Sequence, residues 1–365
     1  MENAKRIEWI DFARGIGMLL VILGHCRIPN PYWKAIYMFH LPLFFMVSGC
    51  IYSPKKNSIP FIQFVKQNAK KYLLPYLVFS FTGITLTFLL FKIYGVGFSY
   101  TQVGVYSLGI FAARGEQVWT GQWGAIWYLF ATFNLLLMVK VINKVKNPWG
   151  GVVKLLASVL GPVICYLANR YVFWAPGPGW LPWNFGAAFM AIPIFYVGYD
   201  YRNFIPIFKN FLENRLGKFS KYILFIFGIV LFLIGLFVGS KNQGLVAFSN
   251  NNYGNIPLML VGAIFIPLGI FFIVDFVYSF ALIRVKGVHW LFQTVEWVGK
   301  NSLLFLGIHG MTIPPVTIVL NKLLNNFSFY VRLRWLFVFI AVLAANVLII
   351  ILYKTLKEKL LKYIK

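Results

Sequence analysis

The sequence predicts an all-α fold, a polytopic membrane protein of about ten transmembrane helices with both termini cytoplasmic. Composition points there first: of 365 residues 60% are hydrophobic and 12% charged, and the mean hydropathy is +0.74. That leaves too little charge to clothe a water-soluble core of this size. Apolar runs long enough to cross a hydrocarbon layer also recur along the whole chain, and Lys and Arg sit almost entirely between them.

In order, the runs lie near residues 9–27, 35–53, 72–94, 123–143, 152–173, 184–202, 221–239, 255–280, 294–320 and 333–355. The first passes into the second through a short turn without a small-residue cleavage pattern, so a retained helix is expected there rather than a signal peptide. The basic segment 55–71 leads into the third run at Leu73-Leu74-Pro75-Tyr76. A Trp- and Gln-containing loop, 114–123, precedes the fourth, a Pro-, Gly- and Trp-rich one, 174–183, separates the fifth from the sixth, and an Asn-rich one, 240–255, separates the seventh from the eighth. No repeat, linker or composition break divides the chain, so a single domain over residues 1–365 is expected.

An even number of crossings returns the chain to its starting side. Basic residues concentrate on that side, in 55–71, 140–154, 202–221, 284–300 and 354–365. This is the bias of cytoplasmic loops, and it accounts for most of the net charge of +25. Nucleic acid is therefore not expected as a partner; membrane lipid is. The opposite loops carry little charge but many tryptophans and amides. Sugar faces stack on aromatic rings and amides bond hydroxyls, so Trp119, Trp123 and Trp180 are candidates for a carbohydrate-facing mouth, against a plain lipid-boundary belt. Cys26, Cys50 and Cys165 lie in or beside apolar runs without metal-ligand spacing, so neither a disulfide nor a metal is expected.

The stretch 6–49 is unusual because Asp11, Arg14, His25 and His40 fall inside its apolar runs. Ionisable groups at such depth are functional by default. At about 100° per residue, Arg14 lies near −60° from Asp11, Met18 near −20° and His25 near −40°, so three polar groups share one helix face. At about 1.5 Å per residue, Asp11 and His25 are roughly 21 Å apart along it. Arg14 keeps its charge and needs an anion; Asp11 is one turn away, and Asp200 and Asp275 are possible further partners.

Several motifs lie along the chain in a fixed order. They are Ile10-Asp11-Phe12-Ala13-Arg14-Gly15, then Gly24-His25, then Phe39-His40 with Pro42-Leu43-Phe44-Phe45 and Ser48-Gly49. Later come Lys70-Lys71-Tyr72-Leu73-Leu74-Pro75-Tyr76, Trp127-Tyr128-Leu129, and Gly299-Lys300-Asn301-Ser302 followed by His309. In this order they resemble the membrane acyltransferase-3 family, in particular its fucose 4-O-acetylase-like branch, over nearly the whole chain. The resemblance implies O-acyl transfer, with cytoplasmic acetyl-CoA as donor and a sugar hydroxyl of a surface or exopolysaccharide as acceptor, free or lipid-linked.

Such a transfer needs a base, a stabilised oxyanion and a held donor. His25 is the candidate base, since imidazole titrates near working pH; the alternative is a histidine capping its helix. Arg14, oriented by Asp11, is the candidate contact to the donor, against a purely structural ion pair. Lys70 and Lys71, in the basic segment, suit the phosphates of coenzyme A, or equally lipid headgroups. His40 and His309 are expected to line the pocket, against a role as satisfied core histidines. A transporter or flippase for a lipid-linked glycan is the competing function, but its mark, paired Gly/Pro-broken helices in matching halves, is not evident. A non-catalytic scaffold would have little reason to bury Asp, Arg and His together.

Overall fold

The computed structural model describes residues 8–93, 100–113, 125–171, 173–174, 177–178, 181–280 and 285–364. Among them the chain is almost wholly helical: α1 (Glu8–His25), α2 (Tyr32–Cys50), α3 (Phe61–Asn68), α4 (Leu74–Ile93), α5 (Tyr100–Ala112), α6 (Trp127–Ile142), α7 (Gly150–Tyr171), α8 (Phe185–Leu216), α9 (Phe219–Ser240), α10 (Ile256–Tyr278), α11 (Lys286–Lys300), α12 (Ser302–Leu324) and α13 (Ser328–Ile364). The only strands among the described residues are two dipeptides, Phe173–Trp174 and Gly177–Pro178, paired antiparallel.

Among the described residues six helical stretches are long and apolar enough to cross a membrane: Phe61–Leu89, Gly150–Tyr171, Phe219–Ser240, Ile256–Tyr278, Ser302–Leu324 and Ser328–Lys362. The runs expected at 9–27, 35–53, 123–143 and 184–202 are also helical, as α1, α2, α6 and the first half of α8. These four are shorter or more polar because much of their surface meets other helices rather than lipid; α6, for instance, buries Tyr128, Thr132, Asn134 and Lys140. The outward faces of α7 and α9, by contrast, expose Leu155, Val159, Phe227 and Phe237, as a lipid-facing surface would.

Two expectations change. The run at 294–320 divides at Asn301, which leaves the helical region at φ −106° and ψ 12°. Before it lies α11, whose Gln293, Glu296 and Lys300 make it amphipathic rather than spanning. Lys140, counted above with the loop charges, is buried and donates to the carbonyls of Lys56, Asn57 and Ile59 at 2.8, 2.8 and 2.6 Å. It pins the turn that carries the basic segment towards α4.

Close helix crossings place the core elements. A Cβ at Gly49 would land on the carbonyl of Phe195, and one at Gly198 on that of Met46, so α2 and α8 touch backbone to backbone. Gly15 and Gly299 do the same for α1 and α11, meeting the carbonyls of Val295 and Asp11. Small residues at such crossings are the usual device of membrane helix packing. Gly198→Leu is expected to cost about 1–3 kcal/mol or more, read as a lower melting temperature in detergent. Gly151→Ala, with nothing within 4 Å of the added atom, should not lower it.

Candidate active site

The polar face of α1 begins with an ion pair. Asp11 is buried and lies 3.6 Å from the Arg14 guanidinium, whose other nitrogen donates to Ser302 Oγ at 2.9 Å. Arg14 thereby ties α1 to the first residue of α12. Asp275, a possible further partner, instead pairs with Lys209.

Arg14 lines a cavity of about 320 Å³ together with Lys71, Lys300, Tyr72 and Tyr128, and Met18, Val21 and Leu306 give it an apolar wall. Lys71 and Tyr72 arrive there on a π-helical turn, Ala69–Leu73, between α3 and α4. Pro75 helps to explain that turn: without an N–H it cannot donate back to the Lys71 carbonyl, and its ring crowds that oxygen. Lys70, on the same turn, is exposed and does not line the cavity. Lys300 is partly neutralised by Glu296 at 3.0 Å, whereas Lys71 has no carboxylate partner among the described residues. Nearby Lys56 has its pKa lowered, first by burial and then by the Lys71 ammonium. This end of the site is therefore electropositive.

Towards the other end of α1, three histidines gather. The rings of His25 and His309 lie 5.2 Å apart, and Tyr37 bridges His25 and His40 at 6.2 and 4.9 Å. His40 Nδ1 donates to the Ile36 carbonyl at 2.7 Å and His309 Nδ1 to the Phe305 carbonyl at 2.9 Å. A carbonyl only accepts, so in both rings the proton sits on Nδ1 and the neutral ring keeps a lone pair on Nε2. His309 is fully buried, and its Nε2 has no partner among the described residues. Such an orphan is costly unless something else meets it.

A second cavity, of about 580 Å³, opens on the far side of this cluster and is lined by His25, Arg27, Pro314, Arg332, Arg334 and Trp335, among others. Its relation to the first is set by helical spacing. On α1, Val21 lines the first cavity and His25, one turn on, the second. On α12, Leu306 lines the first and Ile313 the second, with His309 between. His25 and His309 thus stand where the two cavities approach one another.

The structure brings His25, His40 and His309 together and gathers Arg14 and Lys71 in one cavity. It places Asp11 beside Arg14 and not beside His25. Trp119, Trp123 and Trp180 lie outside the described residues. Sequence reasoning gave no site role to Tyr37 or Trp33, whose rings lie 4.8 Å apart at 48°, with Tyr37 next to His25. Their spacing, one turn apart and Tyr37 three residues before His40, was the available signal. It gave no site role either to Arg332 and Arg334, which read only as basic residues on the side opposite the termini.

Among the described residues no group of three or more His, Cys, Asp or Glu side chains is arranged to hold a metal ion. The chain is similar to nodulation protein NolL of Sinorhizobium fredii, 33% identical over 150 residues, which cover 34% of this chain and 37% of that protein. It is also similar to nodulation protein NolL of Mesorhizobium japonicum, 41% identical over 78 residues, 18% of this chain and 21% of that one. The chain thus matches well under half the length of either relative. No solved structure matches it. A family model described as an acyltransferase domain, the acyltransferase-3 model, matches residues 7–354. With six helices among the described residues able to cross a membrane and a match over almost its whole length, the chain belongs to the acyltransferase-3 family of multi-pass membrane acyltransferases.

Proposed function

We propose that this protein moves an acetyl group from cytoplasmic acetyl-CoA to a hydroxyl of a surface or exopolysaccharide sugar, free or lipid-linked, across a membrane domain of ten crossings with both termini in the cytoplasm. The observation that carries this reading is the position of His25 and His309 between a cation-lined cavity and a second cavity opening beyond them. A donor that ends in phosphates and an acceptor rich in hydroxyls can then meet at the histidines from opposite directions.

In this reading Arg14, Lys71 and Lys300 hold the phosphates, with Lys70 at the outer edge of that site, and Asp11 fixes the Arg14 fork. The narrow pantetheine arm runs past Met18, Val21 and Leu306 and brings the thioester to the histidine cluster. His25 takes the proton of the sugar hydroxyl as its oxygen attacks the thioester carbonyl. The tetrahedral intermediate collapses, the carbon–sulfur bond breaks, and the thiolate leaves as coenzyme A after taking that proton. His309 Nε2 and His40 act as acceptors that orient the sugar hydroxyl and the His25 ring. Trp119, Trp123 and Trp180 would present aromatic faces to the sugar at the mouth.

The test is to incubate membranes with radiolabelled acetyl-CoA and to recover the polysaccharide. Label that a mild base releases as acetate is the expected result; transport of a glycan without any label in it would favour a flippase instead. Arg14→Lys is expected to lower transfer at least tenfold and to weaken donor binding, because an ammonium keeps the charge but loses the fork that spans Asp11, Ser302 and a phosphate. A variant with normal donor affinity and turnover would leave Arg14 a structural ion only.

A further inference from the structure

The cavity on the His25 side carries three arginines, Arg27, Arg332 and Arg334, and no carboxylate among the described residues. None of the three makes a hydrogen bond or ion pair among the described residues. On a regular helix Arg332 and Arg334 would point about 200° apart and could not face one space. They do so because α13 breaks at Leu333, where φ is −110° and ψ 20°. Arg27 is also held out of helix, at φ 58°, in the turn just past His25. Two separate backbone irregularities therefore bring cations to the cavity that His25 lines, and Trp335 adds an aromatic wall.

Resting on the acceptor side of the function proposed above, the geometry points to a negatively charged acceptor: a glycan bearing an oxyanion, a phosphate ester or a uronate carboxylate, close to the hydroxyl that is acylated. Guanidinium forks match both oxyanions, and their charge would be wasted on a neutral sugar. Trp335 suits the face of the adjoining sugar ring. The arginines lie at the opposite end of α1 from Arg14, roughly 16 Å along the helix by residue rise, so they are not an extension of the donor's phosphate site.

The experiment has two readouts. Purified protein in nanodiscs of uncharged-headgroup or zwitterionic lipid is tested by equilibrium dialysis with a neutral gluco-oligosaccharide, the matching oligoglucuronate and the matching sugar phosphate. In parallel, glycans labelled from acetyl-CoA in native membranes are separated by anion exchange into neutral and acidic chains. The expected result is binding of one or both charged ligands about tenfold or more tighter than the neutral one, with that preference collapsing in Arg332→Gln/Arg334→Gln, and label recovered in the acidic chains. Tight binding of only the phosphate or only the glucuronate would identify which oxyanion is read. Equal binding of charged and neutral ligands, a preference that survives the double substitution, or displacement of the charged ligand by coenzyme A alone would overturn the proposal. A double variant that lost lipid-dependent stability with no change in ligand preference would assign the arginines to headgroups and overturn it too. Absence of label in every fraction would count against the acyl-transfer reading, while the dialysis would still decide whether the cavity selects anions.

Discussion

His25→Ala is expected to reduce transfer about 10²- to 10⁴-fold while the protein still inserts and accumulates, the range that a positioned general base contributes. Accumulation should hold because His25 is the last residue of α1, makes no hydrogen bond to another described residue, and lines an open cavity instead of filling the core. His309→Ala is a different experiment. That side chain is fully buried and bonded to the Phe305 carbonyl, so its loss leaves a cavity and an unpaired acceptor. His309→Gln, which can preserve a donor to Phe305, separates packing from chemistry. Near-normal turnover by well-folded His25→Ala would remove His25 from the mechanism. If His309→Gln then lost activity at normal donor affinity, the buried Nε2 lone pair would be the base.

The membrane class, the helical positions and the polar face of α1 were legible because each follows from a local rule, hydropathy or a 100° turn. Arg14 meeting Ser302 was not, since the two are 288 residues apart and only packing joins them. Lys71 and Lys70 look alike in sequence, and only the packing around α3 and α4 decides that Lys71 lines the cavity while Lys70 does not. Arg332 and Arg334 were invisible as a pair for the same reason: an i, i+2 spacing reads as two faces until the helix breaks. Gly15 shows the limit of such angles: on α1 it lies within about 60° of Met18, which lines the cavity, but the structure seats α11 against it, at the Val295 carbonyl. Helical angle gives a direction, and the neighbour in that direction is a tertiary fact.

Met18→Trp is therefore the substitution expected to close the donor path, with an effect as large as loss of the base. Met18 lies one turn beyond Arg14 and is 1% exposed, on the wall of the 320 Å³ cavity that also holds Lys71 and Lys300. A compact donor bound at those cations would end short of His25, roughly 16 Å further along α1. An extended pantetheine arm covers that span only if the side chains at Met18 and Val21 leave a narrow way through. Indole at position 18 fills it, while Met18→Leu, nearly volume-conserving, should cost under about 1.5 kcal/mol and leave transfer largely intact. In sealed vesicles with acetyl-CoA on the Arg14 side, Met18→Trp should lower transfer by about 10² or more, as misplacement of a reacting group does. Binding of the polysaccharide on the His25 side should persist. Normal transfer by Met18→Trp, or transfer when donor is supplied only on the His25 side, would show that the thioester reaches the histidines by another route.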